Sequence, residues 1–244
     1  MTATPAGMTY ADYLALDELL DLQRPLSPLH DEMLFIVIHQ TKELWLKQML
    51  HELRLAIDLL AEDRFAEAYK AMARLGRIQA VMTLSWDVLS TLTPVDYTAF
   101  RDVLGTSSGF QSVQFRELEY RLGIKDERFL AHYADDGGAQ AALQAALAAP
   151  SLWDAAEAAR LRAGAPDWLA VYRDADAWFD LYQLAEKLVD IDDALSAWRH
   201  KHVLTVERII GAKPGTGGSA GSAYLRSTLD KRAFPELWAL RTHL

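Results

Sequence analysis

The stretch WRHKHVLTVERIIG (198–211) sets a helical period and places two histidines on it. On an α-helix, positions two apart point about 200° away from each other. His200 and His202 therefore cannot share a face. At about 100° per residue, Ile191, Leu195, Trp198, Val206 and Ile209 all fall within roughly 40° of His202. His200 falls with Lys201, Glu207 and Arg208 and reads as solvated. His202 lies in the middle of the apolar stripe, where an imidazole requires a reason. Gly211 and Pro214 end this helix, which begins near residue 173.

The same period governs the rest of the chain. One short amphipathic helix is expected over 9–22. A long helix opens at His30-Asp31-Glu32, whose acidic residues suit a helix N-terminus, and runs to about 61. Another covers about 64–91. Pro94 starts a third, PVDYTAFRDVL, where its missing N–H is harmless. GTSSG (105–109) reads as a loop, and FQSVQFRELEYRLG as a helix closed by Gly123. The Ala-rich stretch 136–164 reads as one or two small helices, within a peripheral helical insertion over about 124–172. A short helix near 222–230 and FPELW complete the chain. No alternating strand and no fixed repeat stands out. The expected class is all-α, a bundle of long helices, with residues 1–244 as one domain.

Composition narrows the function. The chain has 244 residues, 51% of them hydrophobic, with seven Trp, enough for a sizeable core. A net charge of −9 with scattered Lys and Arg argues against nucleic-acid or anionic-membrane partners. The absence of cysteine excludes disulfides, zinc–thiolate sites, iron–sulfur clusters and thiolate-ligated haem. The N-terminus has no basic n-region and carries Asp12, Asp17 and Glu18, so it does not read as a signal peptide, and a cytoplasmic location is expected. The apolar run MLFIVI (33–38) is far too short to cross a bilayer.

A handful of residues could carry chemistry. His39 shares a face with Phe35, Leu46, Leu50 and Leu53. Alone it reads as a core histidine satisfied by a local acceptor, for which Glu43 at i+4 is available. Two buried histidines on two long helices are more suggestive, because without cysteine a metal or haem site here must use imidazole. Arg101 lies with Tyr97 at i−4 and Leu104 at i+3. It reads as a snorkelling arginine or as a clamp for a ligand carboxylate. GTGGSAG (215–221) lacks the preceding strand and the Lys-Ser/Thr of a phosphate loop. It reads as a flexible linker, although its glycines also let the backbone and Thr216 approach a ligand. Ser108 reads as an N-cap. Trp45, Trp86 and Trp198 read as core.

Five stretches, taken together, carry a resemblance: TYADYLALDELL, HDEMLFIVIHQTKELWLKQMLHEL, LSTLTPVDYTAFRDVLGTSSGFQSVQFRELE, WRHKHVLTVERIIGAKPGTGGSAGSAYLR and FPELWALRTHL. In these words and their order the chain resembles the tryptophan 2,3-dioxygenase family. That resemblance implies a helical bundle enclosing one haem b per subunit, with O₂ as co-substrate, acting on L-tryptophan to give N-formyl-L-kynurenine. It assigns His202 as proximal iron ligand and His39 as the distal histidine that meets the indole N–H. It assigns Arg101 to the substrate carboxylate and Thr216 to the amino-acid head group. Phe35, Tyr97 and Leu104 become walls of the indole pocket, Ser108 a neighbour of haem and substrate, and Trp86 a neighbour of the haem. It further implies a homotetramer, a dimer of dimers, in which Tyr10 and Tyr13 reach a neighbouring subunit's pocket. A related enzyme acting on another indole, and a non-catalytic helical haem sensor, remain as alternative readings.

Overall fold

A computed structural model describes residues 7–244. The elements in order are α1 (Tyr10–Leu14), α2 (Leu16–Leu20), α3 (His30–Ala61), α4 (Phe65–Leu89), α5 (Pro94–Phe100) and α6 (Val113–Leu122). They continue with α7 (Gly137–Ala148), α8 (Leu152–Ala163), α9 (Trp168–Arg173), α10 (Phe179–Ile210), α11 (Ser222–Arg226) and α12 (Pro235–Ala239). Among the described residues there is no strand, so the fold is all-α.

α3 and α10 each run 32 residues and α4 runs 25. At about 1.5 Å per residue, the two longest rods reach roughly 48 Å. No proline interrupts any of them. At the start of α3, Glu32 is buried and accepts the backbone N–H groups of Leu26 and Ser27, both at 2.7 Å. The incoming chain is thereby tied to the helix's positive end. α3 stops before Asp63, which takes a left-handed φ of 57°, and the chain reverses into α4 within three residues. α10 stops at Gly211, φ 63°, a value that favours glycine.

α4 packs against both α3 and α10. The main core lies along this seam, with Leu53, Leu60, Met72, Leu75, Leu184 and Leu188 sealed from solvent. Gln79 Nε2 donates to the Ile191 carbonyl at 3.0 Å, a polar tie across the seam. A smaller cluster of Ile38, Trp86, Leu89, Leu92, Tyr97, Phe100 and Ile209 gathers beside it. α5 is held there by a capping box between Thr93 and Asp96, with Pro94 at its first turn.

The structure departs from the sequence reading in several places. The expected helix over 9–22 is two short ones, because Ala15 sits at φ 49°, ψ 47° between them. Neither buries a residue. The PVDYTAFRDVL helix tightens to a 3₁₀ turn over Arg101–Leu104, and FQSVQF opens with a 3₁₀ turn over Gly109–Gln111 before α6 begins. The Ala-rich segment is not uniformly peripheral. α7 closes a small satellite cluster with Tyr120 and Tyr133, whereas α8 buries Leu152, Ala156 and Ala159 in the main core. Alanine's short side chain lets α8 lie close against α3. Trp45 is not core: it is 39% exposed, because six residues beyond His39 it points to the outer face of α3.

At the C-terminal end, the carboxylate of Asp192 (0% exposed) accepts the backbone N–H groups of Ala233 and Phe234 and the Trp238 indole N–H at 2.9 Å. One side chain of α10 thus fixes the final segment on the bundle.

Candidate active site

α3, α4 and α10 together wall a cavity of about 260 Å³, closed by the 105–112 and 211–221 loops. Phe35, His39, Trp86, Tyr97, Ser108, His202 and Thr216 all line it. The two histidines, each placed on an apolar face by its helical position, line one space from different helices. His200 is exposed on the opposite side of α10.

His39 sits one turn after Phe35, whose carbonyl lies 2.7 Å from its Nδ1. A carbonyl only accepts, so Nδ1 carries the hydrogen and Nε2 keeps a free lone pair. The anticipated acceptor, Glu43, is engaged elsewhere: its carboxylate and its carbonyl both receive the Gln114 amide, at 2.8 and 2.9 Å. The Phe35 ring lies 4.2 Å from that of His39. Burial, with Lys42 nearby, lowers the His39 pKa to about 4. His202 is lowered further, to about 3, by burial and then by Lys42 and His39. Both rings are only partly covered by protein, since their free surface faces the cavity. At neutral pH both are uncharged and have lone pairs to give.

His202 stacks on Trp86, with centroids 4.2 Å apart and planes 11° from parallel. Trp198 lies 5.3 Å away, and Phe115 stacks on Trp198 at 5.1 Å. Lys42, one turn beyond His39, is 6% exposed with its ammonium over the Trp86 ring. Burial pushes its pKa down to about 6. Sequence reading missed Lys42, because lysine defaults to the surface. Its place three residues after His39 was the available signal.

Arg101 and Leu104 stand just outside the lining. Arg101 lies beside the Tyr97 hydroxyl and donates from Nη2 to the Pro214 carbonyl, tying the turn after α5 to the 211–221 loop. Leu104 packs on the cluster behind Phe35. Thr216 donates its hydroxyl proton to the Ser107 carbonyl at 2.5 Å. Ser108 caps the Gly109–Gln111 turn, accepting the Phe110 N–H at 3.3 Å, as its N-cap reading anticipated. Gly217 is needed for this closure, since a Cβ there would fall 2.6 Å from Ser108 Cβ. Tyr10 and Tyr13 do not reach this cavity; they are 75% and 73% exposed on α1.

The donor set speaks to what the cavity can hold. Among the described residues, no group of three or more His, Cys, Asp or Glu side chains is placed to hold a metal ion. Either lining imidazole, His39 or His202, could complete the coordination of a metal whose other ligands came from a bound macrocycle. Buried polar atoms without partners include Lys42 Nζ, Trp86 Nε1, Arg116 Nε, Trp198 Nε1 and Thr205 Oγ1, all on residues that line the cavity. Such atoms suit a wall that is completed by a bound group.

Fold and site thus define a helical bundle that encloses a cavity lined by two neutral imidazoles and an aromatic wall. The family model described as tryptophan 2,3-dioxygenase matches residues 1–167 and 162–244. A protein of Caulobacter vibrioides named tryptophan 2,3-dioxygenase is 61% identical, over 97% of this chain and 98% of its own. Proteins of the same name from Bacillus cereus and a Polaromonas species are 50% and 49% identical, over 98% and 97% of this chain and 93% and 88% of theirs. The chain belongs to the tryptophan 2,3-dioxygenase family.

Proposed function

We propose that this protein adds both atoms of O₂ across the indole C2–C3 bond of L-tryptophan, giving N-formyl-L-kynurenine, with one haem b per chain held by His202. The observation that carries the reading is the pair of neutral imidazoles on α3 and α10 facing one aromatic cavity. Haem bound there supplies the oxygen activation that the side chains cannot. Trp86 and Ser108, which line the cavity, would flank it.

The chain's own residues bind and orient. Nε2 of His39 accepts the indole N–H, because Nδ1 is committed to the Phe35 carbonyl. Phe35 and Tyr97, 5.9 Å apart, give the indole apolar walls, with Leu104 behind them. Arg101 at the rim takes the substrate carboxylate. The Thr216 oxygen, its own proton spent on Ser107, accepts from the substrate ammonium. The head group is thus fixed at the loops and the indole points inward, which is orientation in the sense that accelerates reaction.

His39→Ala should lower kcat/KM by about 10–100-fold, since a buried hydrogen bond of this kind is worth about 1–3 kcal/mol. A loss of many thousandfold would instead make His39 an obligatory base. Arg101→Ala should raise KM for L-tryptophan by roughly 10–100-fold and leave binding of indole, which lacks the carboxylate, nearly unchanged. Equal losses for both ligands would remove the clamp. The decisive experiment reduces the haem-loaded protein, adds O₂ and L-tryptophan, and follows O₂ uptake with product absorbance. One O₂ consumed per N-formylkynurenine formed is expected. A haem spectrum without substrate-dependent uptake would favour a sensor, and faster turnover of simple alkylindoles would favour a different indole substrate.

The exposed Tyr10, Tyr13, Leu20 and Leu26 support assembly into a homotetramer, a dimer of dimers, with α1 and α2 seated on a neighbouring copy. Among the described residues no helix is long and apolar enough to cross a membrane. With the acidic balance and no cysteine, a cytoplasmic location follows as part of the same proposal, with neither nucleic acid nor membrane as partner.

A further inference from the structure

One end of the cavity is walled by charge. Arg116 and Arg199 are 6% and 3% exposed and share a single buried carboxylate, Glu119. Glu119 accepts from Arg199 Nη2 at 2.9 Å through one oxygen and from Arg116 Nη1 through the other. Two guanidiniums against one carboxylate leave a unit of positive charge inside the protein. Deprotonation cannot remove it, because arginine stays protonated. Arg116 lies over the Phe129 ring at 3.4 Å, and its Nε meets no acceptor. Lys231 adds a second cation, 5.3 Å from that ring, and its carbonyl anchors Arg199 at 2.6 Å. Asp126, whose carboxylate feels the Lys231 charge, is held by a bidentate pair with Arg128 at 2.8 Å. Arg116, Glu119, Arg199 and Lys231 all line the cavity, with the Tyr224 phenol and the Thr228 hydroxyl.

We infer that this cluster is the seat of a porphyrin carboxylate. An uncompensated buried cation is unfavourable, and a cavity-facing one is relieved by an anionic ligand. The location fits. Arg199 stands one turn before His202 on α10. The rings of His202, Trp198 and Phe115 form a contiguous path along the cavity wall, which Arg116 and Arg199 also line. A b-type porphyrin carries two carboxylates, and the Nε of Arg116 and the ammonium of Lys231 meet no hydrogen-bond acceptor among the described residues. The inference rests on haem binding as proposed above and adds where the macrocycle's charged edge is received.

The test compares haem b with its dimethyl ester, in which both carboxylates are masked. Haem-free protein is titrated with each, in the parent chain and in Lys231→Met and Arg116→Gln. Haem b affinity should fall about threefold to tenfold in Lys231→Met and tenfold or more in Arg116→Gln, with ester affinity unchanged. Lys231 is only half-buried, so its variant keeps the test decisive if Arg116→Gln fails to fold. Equal losses for haem b and ester would reduce the cluster to a structural device and overturn the seat. Unchanged affinity for both would do the same. A loss confined to L-tryptophan affinity would give the carboxylate to the substrate instead. If the parent chain binds neither form, the haem reading itself fails; if it binds both and the variants do not discriminate, only the seat falls.

Discussion

His202→Ala protein should emerge from purification without a Soret band and turn over no L-tryptophan. The argument runs through the donor set. On the proposed reading, His202 is the protein's iron ligand, and among the described residues no group of three or more metal-binding side chains stands by to replace it. Alanine supplies no lone pair, and the stacked face of Trp86 cannot substitute for one. The loss exceeds the roughly 10–100-fold that outer-sphere changes around a metal produce. The fold should survive, because alanine is the best helix former and the removed ring, stacked on Trp86 on one side, lines a cavity rather than filling the main core. Far-ultraviolet circular dichroism close to the parent's, together with restored haem binding on adding free imidazole, separates a missing ligand from a collapsed bundle. A variant that kept a normal histidine-type spectrum would refute the assignment.

Asp192→Ala should lower stability by several kcal/mol, about 3–5, as buried donors lose their shared acceptor. The carboxylate is sealed from solvent and serves two backbone N–H groups and one indole N–H. Its removal leaves all three donors buried without an acceptor. The combined penalty is about 3–5 kcal/mol, less than the sum of three isolated losses because the 231–238 segment can partly detach. For a chain of this size that is a fall in Tm of roughly 6–15 °C. Asp192→Asn keeps an acceptor oxygen and should fall by less than half as much. Differential scanning calorimetry of the three proteins reads the outcome, and a shift below a degree in Asp192→Ala would show that the clasp holds nothing.

Both cavity-lining histidines were legible in the sequence for the same reason: each occupies the middle of an apolar stripe on a long, uninterrupted helix, where period alone fixes direction. Their partners were not. Glu43 is one turn from His39, yet Gln114, seventy-one residues away in sequence, claims it, and a local reading has no access to that competition. The charged cluster of Arg116, Glu119 and Arg199 was invisible because each residue alone looks like a solvated one; only the spacing of Arg199 from His202 hinted otherwise. Likewise α8 looked marginal because alanines carry a weak apolar signal, although their smallness is what admits the helix to the core. The break at Ala15 left no trace, since no glycine or proline marks it.

The two imidazoles ride on α3 and α10, whose remaining turns are locked into the main core against α4. Their separation is consequently a gauge set at a distance, by leucines that never touch a ligand. One residue inserted between His39 and Leu53 would swing the ring by about 100° and out of register. The same insertion in the Glu62–Arg64 bend would leave it untouched. Viable length changes in such a chain are therefore confined to its bends, and the rods must be inherited whole.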